Sequence, residues 1–174
     1  MNAPGDVPPY DLPEDRLLKQ CRFEAFVGAG PGGQKRNRTY AAVRITHLRT
    51  GISAVATDSR SQRENRIHAI RELRHKLALE LRRDIVIDPL TYRPPAWFAD
   101  YPKLHMSPKN PLYPATIATA LDVLKATHWQ VPAAASLLGL TTSALMRFLR
   151  DDGHLWATVN RHRAELSMPP LTAR

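Results

Sequence analysis

Gly28-Ala29-Gly30-Pro31-Gly32-Gly33-Gln34-Lys35-Arg36-Asn37-Arg38-Thr39 sets four glycines around one proline, then a glutamine, then three cationic side chains within four positions. Glycine accepts positive φ and lets a main chain come close to a ligand, while Pro31 holds one φ in place. Such a run suits neither a helix nor a regular strand. It predicts an exposed loop whose backbone amides are its chemical groups, with Lys35, Arg36 and Arg38 following to meet phosphates. Gly32-Gly33-Gln34 taken alone also fits a plain flexible hairpin tip. No G-x-G-x-x-G dinucleotide fingerprint can be read here, and no acidic ribose partner stands in place.

The flanks give the loop its setting. Cys21, Phe23 and Ala25 alternate with Arg22, Glu24 and Phe26, which predicts a strand over 21–27 leading in. Val43 and Ile45 alternate with Arg44 and Thr46 in a strand leading out. Arg49-Thr50-Gly51 reads as the turn into a third strand over 52–57, antiparallel to the second. Next comes the clearest helix. Ser61-x-x-Glu64 is a capping box, and Ile67, Ile70, Leu73, Leu77 and Leu81 form one apolar stripe. Arg63, Arg66, Arg71, Arg74, Lys76, Arg82 and Arg83 occupy much of the remainder. Further upstream, Leu12-Pro13 opens a short helix with Glu14 and Asp15 in its first turn, where the dipole favours anions.

The order Gly30-Pro31-Gly32-Gly33-Gln34, Asn37, Thr39, Arg60-Ser61-Gln62 and Asn65-Arg66 resembles the catalytic domain of class I peptide chain release factors. It is equally similar to the stand-alone ribosome-rescue hydrolases that share that domain. The resemblance covers residues 10–83. One departure is Lys35-Arg36-Asn37-Arg38-Thr39, which stands where the family usually has a Val before the Asn and a Lys after it.

The resemblance implies hydrolysis of the ester joining a peptide to tRNA on the ribosome. Gly32, Gly33 and Gln34 would be the catalytic residues. The Gln34 backbone N–H would act as an oxyanion-hole donor, and the Gln34 side chain would admit water. Lys35, Arg36, Asn37, Arg38, Arg60, Ser61, Gln62, Arg63 and Arg66 would bind RNA. The implied partners are large-subunit ribosomal RNA and peptidyl-tRNA, with no cofactor. About twenty residues precede the first strand, where stop-codon-reading relatives place a large recognition region, so the expected activity is codon-independent. The rescue hydrolases end in a long basic tail, whereas Arg161, Arg163 and Glu165 here lead to a short Pro-Pro stretch. Placement on the ribosome is therefore expected to come from the C-terminal helices.

The rest of the composition agrees. The chain has 174 residues, 43% apolar and 24% charged, with a net charge of +9 that favours polyanionic partners. Residues 34–83 carry thirteen Lys and Arg against four Asp and Glu, an excess equal to that of the whole chain. Cys21 is the only cysteine, so no intrachain disulfide forms. No signal peptide and no apolar run of spanning length is visible, which predicts a soluble cytoplasmic protein. A conventional nucleophile with its base, a carboxylate pair or a metal set is not legible. Cys21 reads as a core strand residue, and His47, His68 and His75 lack metal-ligand spacing.

The expected architecture is α+β: a small antiparallel sheet packed on one long helix, with the glycine loop projecting. The divisions are a loose arm over 1–9, the loop-bearing domain over 10–84, a connector over 85–114 and an all-α unit over 115–170. Seven prolines between 84 and 114 forbid a long regular element. Tyr92, Trp97, Phe98 and Tyr101 there fit either packing against a domain or stacking on nucleotides. After Ala115, Ile117, Leu121 and Leu124 mark one helix. Pro132 opens a second that Gly139 closes, Thr141 or Thr142 caps a third, and a fourth runs from His154 to Leu166. The second and third are similar to a helix-turn-helix, a pattern that also serves as a packing module. If the unit binds nucleic acid, Thr142, Ser143, Met146, Arg147 and Arg150 are its contacts. The alternative for the whole chain is a non-catalytic ribosomal RNA- or DNA-binding protein in which these helices dominate.

Overall fold

The computed structural model describes residues 7–27, 41–83, 87–88 and 90–172. The chain divides into two compact units, Met1–Ala78 and Leu79–Arg174.

In the first unit a 3-10 turn, Pro9–Asp11, precedes α1, Glu14–Lys19. Pro13 stands just before α1, and Glu14 and Asp15 fill its first turn as expected. Pro9 and Tyr10 are buried, so packing begins inside the stretch expected to be an arm. Three strands follow: β1, Cys21–Phe26; β2, Ala42–His47; and β3, Ser53–Ala56. They form one antiparallel sheet in the order β1-β2-β3, with Phe23 opposite Ile45 and Ile45 opposite Ala54. Gly51, at φ +72°, makes the β2–β3 turn, a conformation open to glycine at no steric cost. The strands β1 and β3 end one residue or more inside the expected limits.

α2 runs over Gln62–Glu80. Its buried side is Asn65, Ala69, Ile70, Leu73, Leu77 and Ala78, and each fully buried leucine contributes about 1.5–3 kcal/mol. Two members of the expected stripe differ: Ile67 is 49% exposed, and Leu81 lies past the helix end. The buried polar Asn65 takes the place in the first turn that the periodicity assigned to Ile67. α2 meets the sheet at Phe23 of β1, over whose ring the Arg66 guanidinium lies at 4.3 Å, and at Ser53 of β3, whose carbonyl accepts from Lys76 Nζ at 3.2 Å. Arg74 donates to the carbonyls of Tyr10 and Leu12 at 2.8 and 2.7 Å, tying the N-terminal turn to the helix.

The second unit is helical: α3, Tyr113–Ala126; α4, Val131–Leu137; α5, Thr142–Asp151; α6, Gly153–Glu165. α3 is buried on every side from Tyr113 to Leu124, as the central helix of a bundle must be, rather than along one stripe. α4 ends in a Schellman motif. Gly139 N–H donates to Ser136 O and Leu140 N–H to Ala135 O, with Gly139 at φ +69°. The axes of α4 and α5 turn through 106° across the four residues between them. Thr141 Oγ1 accepts from Ala144 N–H, so Thr141 rather than Thr142 is the cap. Asp152 caps α6 through Oδ1, and its Oδ2 accepts from the Tyr113 hydroxyl at 2.8 Å. Burial and this carboxylate push the phenol well above its ordinary pKa.

Asp122, fully buried on α3, accepts from Arg82 Nη1 at 3.2 Å, from the Arg83 backbone N–H at 3.1 Å and from Arg83 Nε at 2.7 Å. In the proline-rich segment a 3-10 turn, Ala96–Asp100, buries Phe98, and Leu104 is buried at positive φ. Among the described residues no single helix is long and apolar enough to cross a membrane.

Candidate functional site

The sequence-predicted catalytic residues Gly32, Gly33 and Gln34 lie outside the described residues, as do Lys35, Arg36, Asn37 and Arg38. The described residues show what flanks them. Phe26 and Ala42 are opposite each other at the end of the β1–β2 ladder, and the chain between them carries all seven. On the open face of the sheet Glu24 sits between Arg22 and Arg44 at 3.6 and 3.9 Å, and the Arg44 guanidinium lies 5.4 Å from the centre of the Phe26 ring. These half-exposed cations are partly neutralised.

The other half of the expected RNA surface is described. Arg60, Gln62, Arg63 and Arg66 are all exposed around the start of α2, and Ser61 is half-buried beneath them. Positive charge here adds to the partial positive charge of the helix N-terminus, an arrangement suited to phosphate. The cap differs in detail from the expected box. Ser61 Oγ accepts from Glu64 N–H at 3.3 Å, but the Glu64 carboxylate does not return to Ser61. Instead Ser61 N–H donates to Ser59 Oγ at 3.0 Å, and the Ser59 hydroxyl donates to Glu64 Oε2. Ser59 thus relays the reciprocal half of the box.

Asn65, part of the motif order, is a residue to which the sequence alone gave no role. It is fully buried, and its amide is occupied on both sides. Oδ1 accepts from Ser59 N–H at 2.9 Å, while Nδ2 donates to Ser59 O at 2.8 Å and to Ala41 O at 2.7 Å. Exchanging oxygen and nitrogen would set donor against donor and acceptor against carbonyl, so the partners fix the assignment. Its sequence signals are its place in the Asn65-Arg66 pair of the motif order and its being a poor helix former in the first turn of a helix.

The cations expected along the long helix separate into two groups. Arg74 is bound to carbonyls of the N-terminal turn, and Arg82 and Arg83 lie beyond the helix end on Asp122, so none of these three is placed as a phosphate ligand. His47 is fully buried: Nε2–H donates to Gln20 Oε1 at 3.1 Å, and Nδ1 accepts from the Thr50 hydroxyl at 2.9 Å. Burial first, then the nearby Arg49, holds its pKa below the ordinary histidine value. It is a neutral structural imidazole. Burial pushes the half-buried Cys21 thiol up, away from the nucleophilic thiolate. His68 stands 3.6 Å from Asp58. Among the described residues no group of His, Cys, Asp and Glu is placed to hold a metal.

In the second unit Thr142, Ser143 and Arg150 are exposed on α5, and Met146 and Arg147 are half-buried, opposite the buried Ala144, Leu145, Phe148 and Leu149. Arg147 Nη2 donates to Lys103 O at 3.0 Å, which brings the exposed Lys103 beside this face. Arg163 is buried, with Nη1 on Trp129 O and Nε on Pro169 O, and is a structural cation.

Comparison with known proteins bears on the first unit. Residues 17–85 match the family model "RF-1 domain". Peptide chain release factor 1 of Bifidobacterium longum (strain DJO10A) is 48% identical over 59 residues, 34% of this chain and 16% of that protein. Peptide chain release factor 2 of Acidothermus cellulolyticus is 48% identical over 73 residues, 42% of this chain and 18% of the relative. Peptide chain release factor 1 of Anaplasma marginale is 42% identical over 72 residues, 41% and 20% respectively. The chain spans a fifth or less of the length of these relatives. Over residues 17–85 the match supports the class I release factor catalytic domain that the order of motifs implied.

Proposed function

We propose that this chain hydrolyses the ester of peptidyl-tRNA on the ribosome without reading a codon, with Gly32, Gly33 and Gln34 as its catalytic residues. The observation that carries the reading is the position of that tripeptide in the sequence. It lies between two adjacent antiparallel strands of a unit that matches a release-factor domain. In this reading the Gln34 backbone N–H donates to the oxyanion that forms as water attacks the ester carbonyl. Gly32 and Gly33 leave room for the tRNA end to come against the main chain. The Gln34 side chain admits water and excludes larger nucleophiles. The proton that water gives up passes, by way of the tRNA ribose and the ribosome, to the ribose oxygen that departs as the ester bond breaks. The protein then needs no general base of its own, in keeping with the structural roles of His47 and Cys21.

Lys35, Arg36, Asn37 and Arg38, with Arg60, Ser61, Gln62, Arg63 and Arg66 at the start of α2, bind phosphates of large-subunit ribosomal RNA and tRNA. Thr142, Ser143, Arg147 and Arg150 of α5, with Lys103, make a second contact with nucleic acid. Contacts of this type position a protein without conveying sequence, which is why we assign the activity as codon-independent. Release is measured on ribosomes carrying peptidyl-tRNA with either an empty or a stop-codon A site. Equal release in both is expected, with loss of release in Gly33→Ala more complete than in Gln34→Ala. Full activity of Gly33→Ala refutes the catalytic assignment, and release confined to stop codons refutes codon independence. If the wild-type chain binds ribosomes but releases nothing, the non-catalytic RNA-binding reading replaces this one.

A further inference from the structure

We propose that Asn65 is a positioning residue for the release reaction, holding the chain at the entrance to β2 in register with the basic surface at the start of α2. This rests on the hydrolase reading above and assigns a role to a residue outside the Gly-Gly-Gln and its cationic neighbours.

One buried amide makes three hydrogen bonds here. Asn65 grips Ser59 by both its N–H and its carbonyl, and with its remaining proton holds Ala41, twenty-four residues away in sequence. Ala41 directly precedes β2, and residues 28–39 carrying Gly32 to Arg38 lie just before it in the chain. Ser59 is the residue before Arg60, and its hydroxyl links Ser61 N–H to the Glu64 carboxylate. Asn65 therefore joins the strand that leaves the catalytic sequence to the segment that displays Arg60, Gln62 and Arg63. No β-ladder bond makes this connection, because the β2–β3 register ends with Val43 opposite Ala56.

Only asparagine meets the requirement. Aspartate keeps the volume and the acceptor for Ser59 N–H, but it has no protons for the carbonyls of Ala41 and Ser59 and sets a negative charge against both. Glutamine displaces the same amide by a methylene in a site that is fully buried. A purely stabilising residue could be replaced with loss of stability alone. A positioning residue, when replaced, lowers the rate in molecules that remain folded, because a small misplacement of reacting groups is costly in rate.

The test compares the full-length wild type, Asn65→Asp and Leu77→Ala in single-turnover peptide release from empty-A-site ribosomes. Protein concentration is varied to separate the maximal rate from the half-saturating concentration, and Tm is measured for each. Leu77 is fully buried and lies twelve residues from Asn65 along α2, about 18 Å at the helical rise, and serves as a core variant that loses stability without touching the clip. At a temperature where all three are folded, Asn65→Asp is expected to lose about 10- to 100-fold in maximal rate. Its half-saturating concentration should change by no more than about twofold, because the exposed arginines that dominate phosphate binding remain. Leu77→Ala should keep the wild-type rate. If Asn65→Asp falls only as far as Leu77→Ala does, or loses affinity alone, Asn65 is a structural residue and the inference is overturned. If the wild type itself releases no peptide, the hydrolase reading fails first and the positioning role falls with it.

Discussion

Replacing Asp122 by alanine isolates what one buried carboxylate contributes to the second unit. The side chain is wholly buried and accepts from two arginines that are unequally exposed, Arg82 at 13% and Arg83 at 47%. Removing the carboxylate leaves the Arg82 guanidinium its bond to Ala118 O at 3.1 Å but takes away this counter-charge in a dry setting. Breaking a buried pair from one side costs about 3–5 kcal/mol. Arg83 can rehydrate, so its share is at the surface-pair level of about 0–1 kcal/mol. The loss expected for Asp122→Ala is then about 3 kcal/mol, and for Arg83→Ala no more than about 1 kcal/mol. The assay is urea unfolding followed by tryptophan fluorescence. Trp97, Trp129 and Trp156 are the only tryptophans and all lie in the second unit, so the signal reports that unit alone. At an m-value of about 1.5 kcal/mol per molar, the midpoint should fall by about 2 M in Asp122→Ala. A midpoint equal to the wild type, or an Arg83→Ala loss as large as that of Asp122→Ala, refutes the reasoning.

Other outcomes follow from single groups. His47 is held neutral, with a folded-state pKa below its unfolded value. Its contribution is therefore fully present above a pH of about 6.5 and is lost as pH falls toward the folded-state pKa. Circular dichroism melts of the first unit's transition should show Tm dropping across that window, and His47→Gln should flatten the drop; an unchanged slope would contradict the buried-neutral assignment. A methyl group added at Gly139 would meet nothing within 4 Å, but φ there is +69°, so Gly139→Ala should cost about 1–2 kcal/mol by backbone strain alone. Gly139→Asn should cost less, since asparagine visits that region more readily, and fluorescence-detected unfolding distinguishes the two; equal losses would point to a contact rather than to φ.

The candidate site is a reading of residue order. The Gly-Gly-Gln stretch, the Arg-Ser-Gln segment and the Ser61 cap all depend on neighbours a few positions apart, and Ser61 does cap α2. Helix periodicity was less reliable where a polar residue took a buried place: Asn65 faces inward and Ile67 does not. α3 had the same difficulty in reverse. A three-residue stripe describes a helix with one buried face, but α3 is enclosed on all sides, and the buried Thr116 satisfies its hydroxyl locally on Leu112 O.

Sequence alone determined the turn at Gly51, the end of α4 at Gly139, the cap at Ser61 and the α+β order of elements, and it narrowed the α5 cap to Thr141 or Thr142. Each is settled by the φ preference of one residue or by a hydrogen bond within three or four positions. Tertiary structure alone decided the fate of the long polar side chains. Arg74 reaches carbonyls more than sixty residues away, Arg82 and Arg83 meet Asp122 about forty residues on, and Asn65 finds Ala41. An arginine looks the same in sequence whether it will face phosphate or a buried carboxylate. The difference lies in which acceptors folding brings within about 3 Å of it, and chain separation carries no record of that.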